Sequence, residues 1–504
     1  MTADAYATLE RRFARLDLLS DAFGILSWDN QAMMPDGASE SRAEQLAALS
    51  VVKHELLTAP DMGDLLEQAL GGNGTGDPAV DGWRRANLAE MRREWLHATA
   101  VPADLVEASS RAFSKCEHVW RTARPANDFA ALRPHLEEVL GLVRDIAAAK
   151  ADKLGVSPYD ALLDEYEPDG RSAEIDVIFD DLAAFIPGFV DEVVERQAKA
   201  PAILPLDGHY PIERQRALGI ELMKAVGFDF NRGRLDVSLH PFCGGATDDV
   251  RITTRYEERN FARALMGVLH ETGHAMYEQN RPRDWLRQPV GHARGMAMHE
   301  SQSLIVEMQA ARSRPFLSWL APKAKAAFDG SGPAWDADNL TRIYTRVGRT
   351  LVRVDADEAT YPAHVILRYR LERAMVAGDL AIADLPGAWA DGLRALLGVA
   401  PPDDRLGCLQ DIHWPSGGWG YFPCYTLGAM IAAQLFDTAT RADPNILPAL
   451  GEGDFGPLMA WLTPNVHQKA SSASTRDLLI QATGRPLDAG VFKAHLRRRY
   501  LDAA

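Results

Sequence analysis

Apolar residues recur at intervals of three and four along most of the chain, the spacing that places them on one face of an α-helix. From Ala5 to Lys199 this pattern is almost continuous, as in LERRFARLDLLSDAFGIL and EIDVIFDDLAAFIPGFVDEVVERQ. The interruptions are short and polar, for example Pro35-Asp36-Gly37. Long amphipathic segments with such short connections predict antiparallel helices that pack on one another.

The pattern changes between Arg234 and Tyr256. RLDVSLHPF and DDVRITTRY alternate apolar with polar residues and carry Val, Ile and Thr, as strands do. Cys243-Gly244-Gly245 lies between them, so we predict two short antiparallel strands. Helical spacing resumes at Met298, and a loop-rich stretch covers Pro401 to Gly420. The chain is therefore predicted to be mainly α, with one small antiparallel sheet.

The helical segment after the second predicted strand contains the pentapeptide HETGH, residues 270–274. Residues four apart on a helix lie on the same face, so His270 and His274 can offer two imidazole nitrogens to one cation. Glu271 lies on the neighbouring flank, where it can act as general base towards a water molecule that the metal activates. This is the chemistry of H-E-x-x-H zinc hydrolases. The alternative is a pair of surface histidines, which the apolar surroundings disfavour.

A catalytic site of this kind needs a third protein ligand, and the candidates are Glu278, Glu300 and Glu307. Glu278 lies roughly 12 Å from His270 along the helix axis, too far to converge with both histidines. Glu300 opens the next helical segment, after a loop whose prolines and glycines allow the chain to reverse. Two His and one Glu leave the open position of a catalytic zinc site. Glu307 is expected beside a ligand or in the core, and His299 as a buried, hydrogen-bonded histidine that points elsewhere.

Composition restricts the partners. The 70 acidic and 54 basic side chains give a net charge of -16, which argues against nucleic acid or an anionic membrane as the main partner, because either needs a basic surface. No stretch of about 18 apolar residues occurs. The N-terminal MTADAYATLERRFARLD lacks the uninterrupted apolar core of a signal peptide. The 4 cysteines show no C-x-x-C spacing, so we expect reduced thiols and a cytoplasmic protein.

Taken in order, the motifs resemble the carboxypeptidase Taq family of metallopeptidases. HPF and DVRITTRY precede HETGH, and HESQS, RVDADEATY, GCLQDIHW and GYFPCYTLG follow it, while WDNQAMMPDGA resembles the family's N-terminal signature. The resemblance implies an almost all-helical fold with a deep substrate groove, related to the neurolysin and angiotensin-converting-enzyme architecture. We expect a single catalytic domain over residues 1–504, with the helical region 1–200 as one wall or lid of the groove.

The resemblance also implies an activity. Family members remove single amino acids from peptide C-termini and are commonly homodimers, so we expect a homodimeric metallocarboxypeptidase that acts on peptides with a free C-terminus. It implies His270, His274 and Glu300 as ligands of Zn²⁺, with Co²⁺ or Mn²⁺ as alternative metals, and Glu271 as base. Two other functions stay open: an oligopeptidase or dipeptidyl carboxypeptidase with the same metal site, and a non-catalytic metal-binding scaffold.

Arg353 matches an arginine that the family directs at the free carboxylate of the substrate. A guanidinium can donate to both carboxylate oxygens and stays charged at any working pH. The alternative role is a salt bridge to Asp355, Asp357 or Glu358. His240, in the HPF element, is expected to assist Arg353. Both HPF and GCLQDIHW are associated in the family with closing one end of the groove, which would restrict substrate length.

His413 and Tyr421 resemble the His and Tyr that related enzymes direct at the tetrahedral intermediate. A hydrogen-bond donor there stabilises the oxyanion more than the ground-state carbonyl. Tyr425 could take the place of Tyr421, so we assign Tyr425 to substrate binding and leave the choice between the two tyrosines open.

Overall fold

The computed structural model describes residues 4–72 and 75–502, and it confirms the predicted mainly helical fold class. Within these residues the strands are β1 (Gly233–Val237), β2 (Cys243–Ala246) and β3 (Asp249–Thr254). The α-helices of the described residues are α1 (Ala5–Ala32), α2 (Ser39–Leu57), α3 (Met62–Leu70), α4 (Pro78–Ala100), α5 (Ala103–Ala126), α6 (Phe129–Leu154), α7 (Pro158–Leu163), α8 (Ser172–Lys199), α9 (Ile212–Val226), α10 (Phe261–Gln279), α11 (Met296–Leu304), α12 (Arg314–Ala327), α13 (Ala337–Tyr344), α14 (Tyr361–Ala377), α15 (Leu385–Leu397), α16 (Pro423–Ala442), α17 (Ile446–Leu450), α18 (Gly456–Asn465), α19 (Thr475–Thr483) and α20 (Ala489–Arg497).

Local sequence signals account for many helix ends. The side chains of Asp4, Ser157 and Ser474 accept hydrogen bonds from backbone amides in the first turns of α1, α7 and α19. These bonds replace helical partners that the first amides of a helix lack. At the other end, Gly227 closes α9 with φ 108°, a left-handed conformation that glycine adopts without steric cost.

The sheet differs from the predicted antiparallel pair of strands. β1 pairs with β3 in parallel, and β2 pairs with β3 in antiparallel, in the order β1-β3-β2. The prediction was wrong because Cys243-Gly244-Gly245, interpreted as a connection, belongs to a strand of its own. The tight turn lies instead at Thr247-Asp248, where Asp248 has φ 59°. The chain thus reverses twice between β1 and β3, which leaves these two strands parallel.

The chain divides into two compact units. The first unit comprises Met1–Ala98, Ala202–Tyr344 and Ile431–Leu487, and the second comprises Thr99–Pro201, Thr345–Met430 and Asp488–Ala504. The first unit contains the sheet and the HETGH motif, and the second contains the GCLQDIHW stretch. Residues 1–200 are shared between the two units, and their role as a wall or lid of a groove stays a prediction.

Helix α10 forms the interior of the first unit. Of its 19 residues, 14 are buried, and α9, α11 and β3 pack against it. It begins after Asn260, whose side chain accepts a hydrogen bond from the amide of Arg263. Because polar side chains inside such a helix lose contact with water, each needs a partner within the protein. The HETGH residues are therefore expected to make specific contacts.

Two expectations from composition can be compared with the structure, and a third cannot. No helix of residues 4–72 and 75–502 is long and apolar enough to cross a membrane. The four cysteines are free of disulfide bonds. Residues 1–3, where the N-terminal segment starts, lie outside the described residues, and the absence of a signal peptide stays a prediction.

Candidate metal centre and substrate-binding residues

His270, His274 and Glu300 converge in the first unit. Both histidines lie on α10, and α11 returns beside it with Glu300 in its second turn. One ligand atom from each residue can be chosen so that all lie within 4.8 Å of one another. The Nε2 atoms of His270 and His274 lie 3.9 and 3.5 Å from Oε2 of Glu300. Two imidazole nitrogens and one carboxylate oxygen are the donor set of catalytic zinc sites, so this cluster fits a divalent cation.

Gly273, inside the HETGH motif, allows this convergence. A Cβ atom at this position would lie 2.3 Å from the carbonyl oxygen of Gln302 and 2.6 Å from Cα of Ser303. Helix α11 can therefore approach α10 this closely only because residue 273 has no side chain. The close packing of the two backbones is what brings Glu300 to the histidines.

The other ring nitrogen of His270 has a carboxylate partner. Its Nδ1 atom lies 3.0 Å from Oε2 of Glu307, and the second carboxylate oxygen of Glu307 accepts from Arg312. Glu307 belongs to a π-helical turn, Ile305–Ala310, a feature that is frequent at functional sites. The structure thus places Glu307 directly behind one of the candidate ligands, one of the two positions that the sequence left open.

The other ring nitrogen of His274 has a histidine partner. Nδ1 of His274 lies 2.6 Å from Nδ1 of His299, and Nε2 of His299 lies 2.9 Å from Oε1 of Glu278. Glu278 is therefore outside the cluster, in line with the reach argument. His299 is not among the three candidate ligands, but it contacts one of them directly, which the sequence analysis did not foresee.

Burial and neighbouring charges set the protonation of these groups. Burial raises the pKa of Glu271 to about 7, so the carboxyl can exchange a proton near neutral pH. Burial lowers the pKa of His274 to about 4, which leaves its imidazole neutral. Burial also disfavours the charged form of His270. The carboxylates of Glu300 and Glu307 favour that form more strongly than burial opposes it, and they raise the pKa of His270 to about 10. A cation bound at Nε2 would replace that proton.

Arg353 lies in the second unit, buried, with a carboxylate partner. Its Nε and Nη2 atoms donate to the same oxygen of Asp411, over 3.1 and 2.9 Å, and Nη1 donates to the Tyr361 hydroxyl over 2.7 Å. The other oxygen of Asp411 accepts from Arg368 over 2.6 Å. The two arginines hold the pKa of Asp411 well below its usual range, although burial alone would raise it.

Asp411 is a partner that the sequence analysis missed. It lies within GCLQDIHW, and the preceding Gln410 accepts from the amide of Arg353 over 2.8 Å. The available signal was an acidic residue two positions before His413, in a loop otherwise rich in apolar and small residues. The carboxylates considered instead were neighbours of Arg353 in sequence, whereas Asp411 is a neighbour only in space.

His413, Tyr421 and Tyr425 form one aromatic group in the second unit. The hydroxyl of Tyr425 lies 3.4 Å from Nε2 of His413, and the rings of Tyr421 and Tyr425 meet edge to face at 5.1 Å. Burial lowers the pKa of His413 to about 4, so its imidazole is neutral at pH 7. The guanidinium of Arg353 lies 5.0 Å from the centre of the Tyr425 ring, which places Tyr425 beside this arginine.

His240 lies in the first unit, on the segment between β1 and β2. Its side chain is exposed, and its carbonyl oxygen accepts a hydrogen bond from the Ser238 hydroxyl over 2.6 Å. That bond fixes the backbone of the HPF element and leaves the imidazole available to another group.

Comparisons with known proteins agree over nearly the whole chain. A sequence profile of the family described as Carboxypeptidase Taq (M32) metallopeptidase matches residues 8–500. The chain is 37% identical to thermostable carboxypeptidase 1 of Thermus thermophilus, over 96% of this chain and 95% of that protein. Its fold is similar to the solved structure of Trypanosoma cruzi metallocarboxypeptidase 1, with a TM-score of 0.96, 40% identity and 99% of each chain covered. The M32 carboxypeptidase of Deinococcus radiodurans R1 gives a TM-score of 0.92 at 32% identity, again over 99% of each chain.

Proposed function

The chain belongs to the carboxypeptidase Taq (M32) metallopeptidase family and is a metal-dependent carboxypeptidase; from this premise we propose which of its residues perform the reaction. The observation that carries the proposal is the convergence of His270, His274 and Glu300 within 4.8 Å. These three residues would hold the metal, and Glu271, on the same helix α10, would be the base. The reaction is hydrolysis of the last peptide bond, with release of one amino acid at a time.

When bound, a divalent cation supplies a Lewis acid that polarises the scissile carbonyl and lowers the pKa of water. Glu271 takes the proton of the attacking water and later delivers it to the leaving amine. Its burial suits this role, because a carboxyl with a pKa near 7 can accept and return a proton at neutral pH. Glu307 orients the imidazole of His270, and His299 orients that of His274, in each case through Nδ1 of the candidate ligand.

We propose that Arg353 binds the terminal carboxylate of the peptide, with His240 assisting. The pair with Asp411 supports this role, because it holds the guanidinium in one orientation before substrate arrives. His413 and Tyr421 would stabilise the oxyanion as neutral hydrogen-bond donors. Tyr425 is proposed as a substrate contact because its ring lies beside Arg353.

The remaining proposals come from the family resemblance and the donor set. Two nitrogens and one oxygen favour Zn²⁺ as the metal, with Co²⁺ or Mn²⁺ as alternatives. We also propose a homodimer, which light scattering on the purified protein can test, and a cytoplasmic location. A single catalytic domain over 1–504, with 1–200 as a wall or lid of a groove, is proposed on the same ground.

The first experiment separates metal binding from catalysis. Glu271→Gln should keep one metal ion per chain, because the ligands are intact, and should lose at least about 100-fold in kcat, because the proton acceptor is gone. Glu257→Gln, an exposed position before the same helix, is the matched control and should match the parent protein in both measurements. Full turnover by Glu271→Gln would refute its role as base.

The second experiment separates the proposed exopeptidase from its alternatives. Mass spectrometry of a timed peptide digest should show successive losses of single C-terminal residues. Released dipeptides or internal cuts would instead indicate a dipeptidyl carboxypeptidase or an oligopeptidase. Metal binding without any cleavage would indicate a scaffold protein.

A further inference from the structure

We infer that His299 and Glu278 form a hydrogen-bonded relay that fixes the proton of His274 on Nδ1, and so keeps the Nε2 lone pair of His274 available to the metal. This inference rests on the proposed metal site. It makes His299 and Glu278 positioning residues, because they act on the metal through His274.

The relay follows from the two nitrogens of His274. Its Nε2 atom faces Glu300 at 3.5 Å, on the side of the candidate metal, and its Nδ1 atom faces His299 at 2.6 Å. A neutral imidazole carries one proton, and a ring that binds metal through Nε2 must carry it on Nδ1. His274 is then the donor in the contact with His299, and Nδ1 of His299 must be the acceptor.

Glu278 determines that Nδ1 of His299 can accept a hydrogen bond from His274. An ionised carboxylate only accepts hydrogen bonds, so Nε2 of His299, at 2.9 Å from Oε1 of Glu278, carries the proton of that ring. Nδ1 of His299 is then unprotonated and can accept from His274. Arg281 keeps Glu278 ionised, because its Nε atom lies 3.0 Å from the second oxygen, Oε2. Both hydrogen bonds of the relay are therefore donated towards Glu278: His274 donates to His299, and His299 donates to Glu278.

The two candidate histidine ligands are thus supported differently. His270 faces the carboxylate of Glu307 directly, at 3.0 Å. His274 reaches its carboxylate only through a second imidazole, whose tautomer could in principle reverse. The tautomer of His299 depends on the Glu278 side chain, which presents an acceptor oxygen to Nε2 of His299.

Glu278→Gln tests the relay with almost no change of shape. The new amide has one oxygen, and Arg281, which can only donate, attracts it. The amide nitrogen then faces Nε2 of His299, which must accept, so the proton of His299 moves to Nδ1. Two Nδ1–H groups cannot face each other across 2.6 Å, and His274 is forced to protonate Nε2. We expect Zn²⁺ affinity to fall about 10- to 100-fold, the usual effect of losing an outer partner of a metal ligand.

His299 variants exclude a simple charge effect. His299→Phe removes the acceptor but keeps the charge of Glu278, and it should weaken Zn²⁺ binding to a similar extent. His299→Asn, whose amide oxygen can accept from His274, should recover most of the affinity. The double variant Glu278→Gln/His299→Phe should lose no more than the larger single loss, because both changes break one chain.

The measurement is Zn²⁺ affinity of the metal-stripped full chain, by competition with a chromophoric chelator, after circular dichroism has verified folding. His495→Phe is the matched control, since it removes another imidazole–carboxylate contact, 2.8 Å from Glu358, in the second unit. Parental affinity in His299→Phe, or additive losses in the double variant, would overturn the relay. If His299→Phe does not fold, parental affinity in Glu278→Gln overturns it. A parent protein that binds no Zn²⁺ through His270 and His274 would instead overturn the proposed function.

Discussion

Replacing Gly273 with alanine should disrupt the proposed metal centre although residue 273 contributes no candidate ligand atom. The new methyl group would lie 2.3 Å from the carbonyl oxygen of Gln302 and 2.6 Å from Cα of Ser303. Both are backbone atoms of α11, so no side chain can rotate away to make room. The strain can be relieved only by separating α10 from α11.

The size of the effect follows from this distance. Ordinary van der Waals contact begins at 3.4 Å, so α11 must withdraw by about 1 Å at this point. Glu300 lies on α11 within 3.5 Å of His274, and such a displacement exceeds the tolerance of roughly 0.5 Å for a working site. Overpacking of this kind costs about 1–3 kcal/mol in folding free energy. If the metal site takes up that strain, Zn²⁺ affinity falls about 10- to 100-fold, since 1.4 kcal/mol corresponds to about tenfold.

The assay compares two glycines of one helix. Gly267→Ala is the matched control, because a Cβ there meets no atom within 4 Å. It should retain Zn²⁺ affinity and gain up to about 1 kcal/mol, since alanine favours the helix over glycine. Zn²⁺ affinity is measured by chelator competition, and unfolding free energy by denaturant titration of the metal-free proteins.

If Gly273→Ala bound Zn²⁺ as tightly as Gly267→Ala and unfolded at the same denaturant concentration, the close approach of α11 at Gly273 would not control the proposed metal site. Reduced stability with unchanged affinity would show that α11 can withdraw without moving Glu300. That result would contradict the link between helix packing and ligand geometry.

Two further predictions concern the second unit. Arg353→Lys should lower kcat/KM about 10- to 100-fold for a peptide with a free C-terminus, because the forked donor is lost, and should lower it much less for the same peptide with an amidated C-terminus. The exposed Arg370→Lys is the control. An equal loss on both peptides would contradict binding of the terminal carboxylate by Arg353. Burial raises the pKa of Glu372 to about 7, from 4.5 in the unfolded chain. The stability that the protonated Glu372 contributes is therefore complete below pH 4.5 and is lost as the pH rises towards 7. The loss is at most about 1.4 kcal/mol per pH unit. Urea titrations from pH 4.5 to 7 should show the parent protein losing stability relative to Glu372→Gln, and parallel curves would contradict this.

Much of the candidate site could be proposed from the sequence because it is local in sequence. His270, Glu271 and His274 occupy one helix, and the helical repeat alone places the two histidines on one face. Glu300 followed from reach, since Glu278 lies too far along the same helix. The mainly helical fold followed from apolar spacing, which persists over long segments and so outweighs any single residue.

Contacts between distant segments were not predictable in the same way. The pairing of β1 with β3 depends on where the chain turns between them. The short stretch Cys243-Gly244-Gly245 fits a turn or an edge strand equally well, so its sequence does not locate the turn. Asp411 pairs with Arg353 across 58 positions of sequence, and His299 contacts His274 across a loop. Sequence spacing cannot identify such partners, because a loop does not fix the relative orientation of the elements it joins.

By itself, the sequence determined the helical fold class and the identity of the candidate ligands, and it predicted the chemistry of the HETGH motif. These depend on the helical repeat and on the side-chain types, both of which are local properties. Only the tertiary structure decided how close α11 lies to α10, which nitrogen of His274 faces His299, and which carboxylate holds Arg353. Those contacts depend on the packing of separate elements, and packing is decided by the three-dimensional fit of many side chains at once.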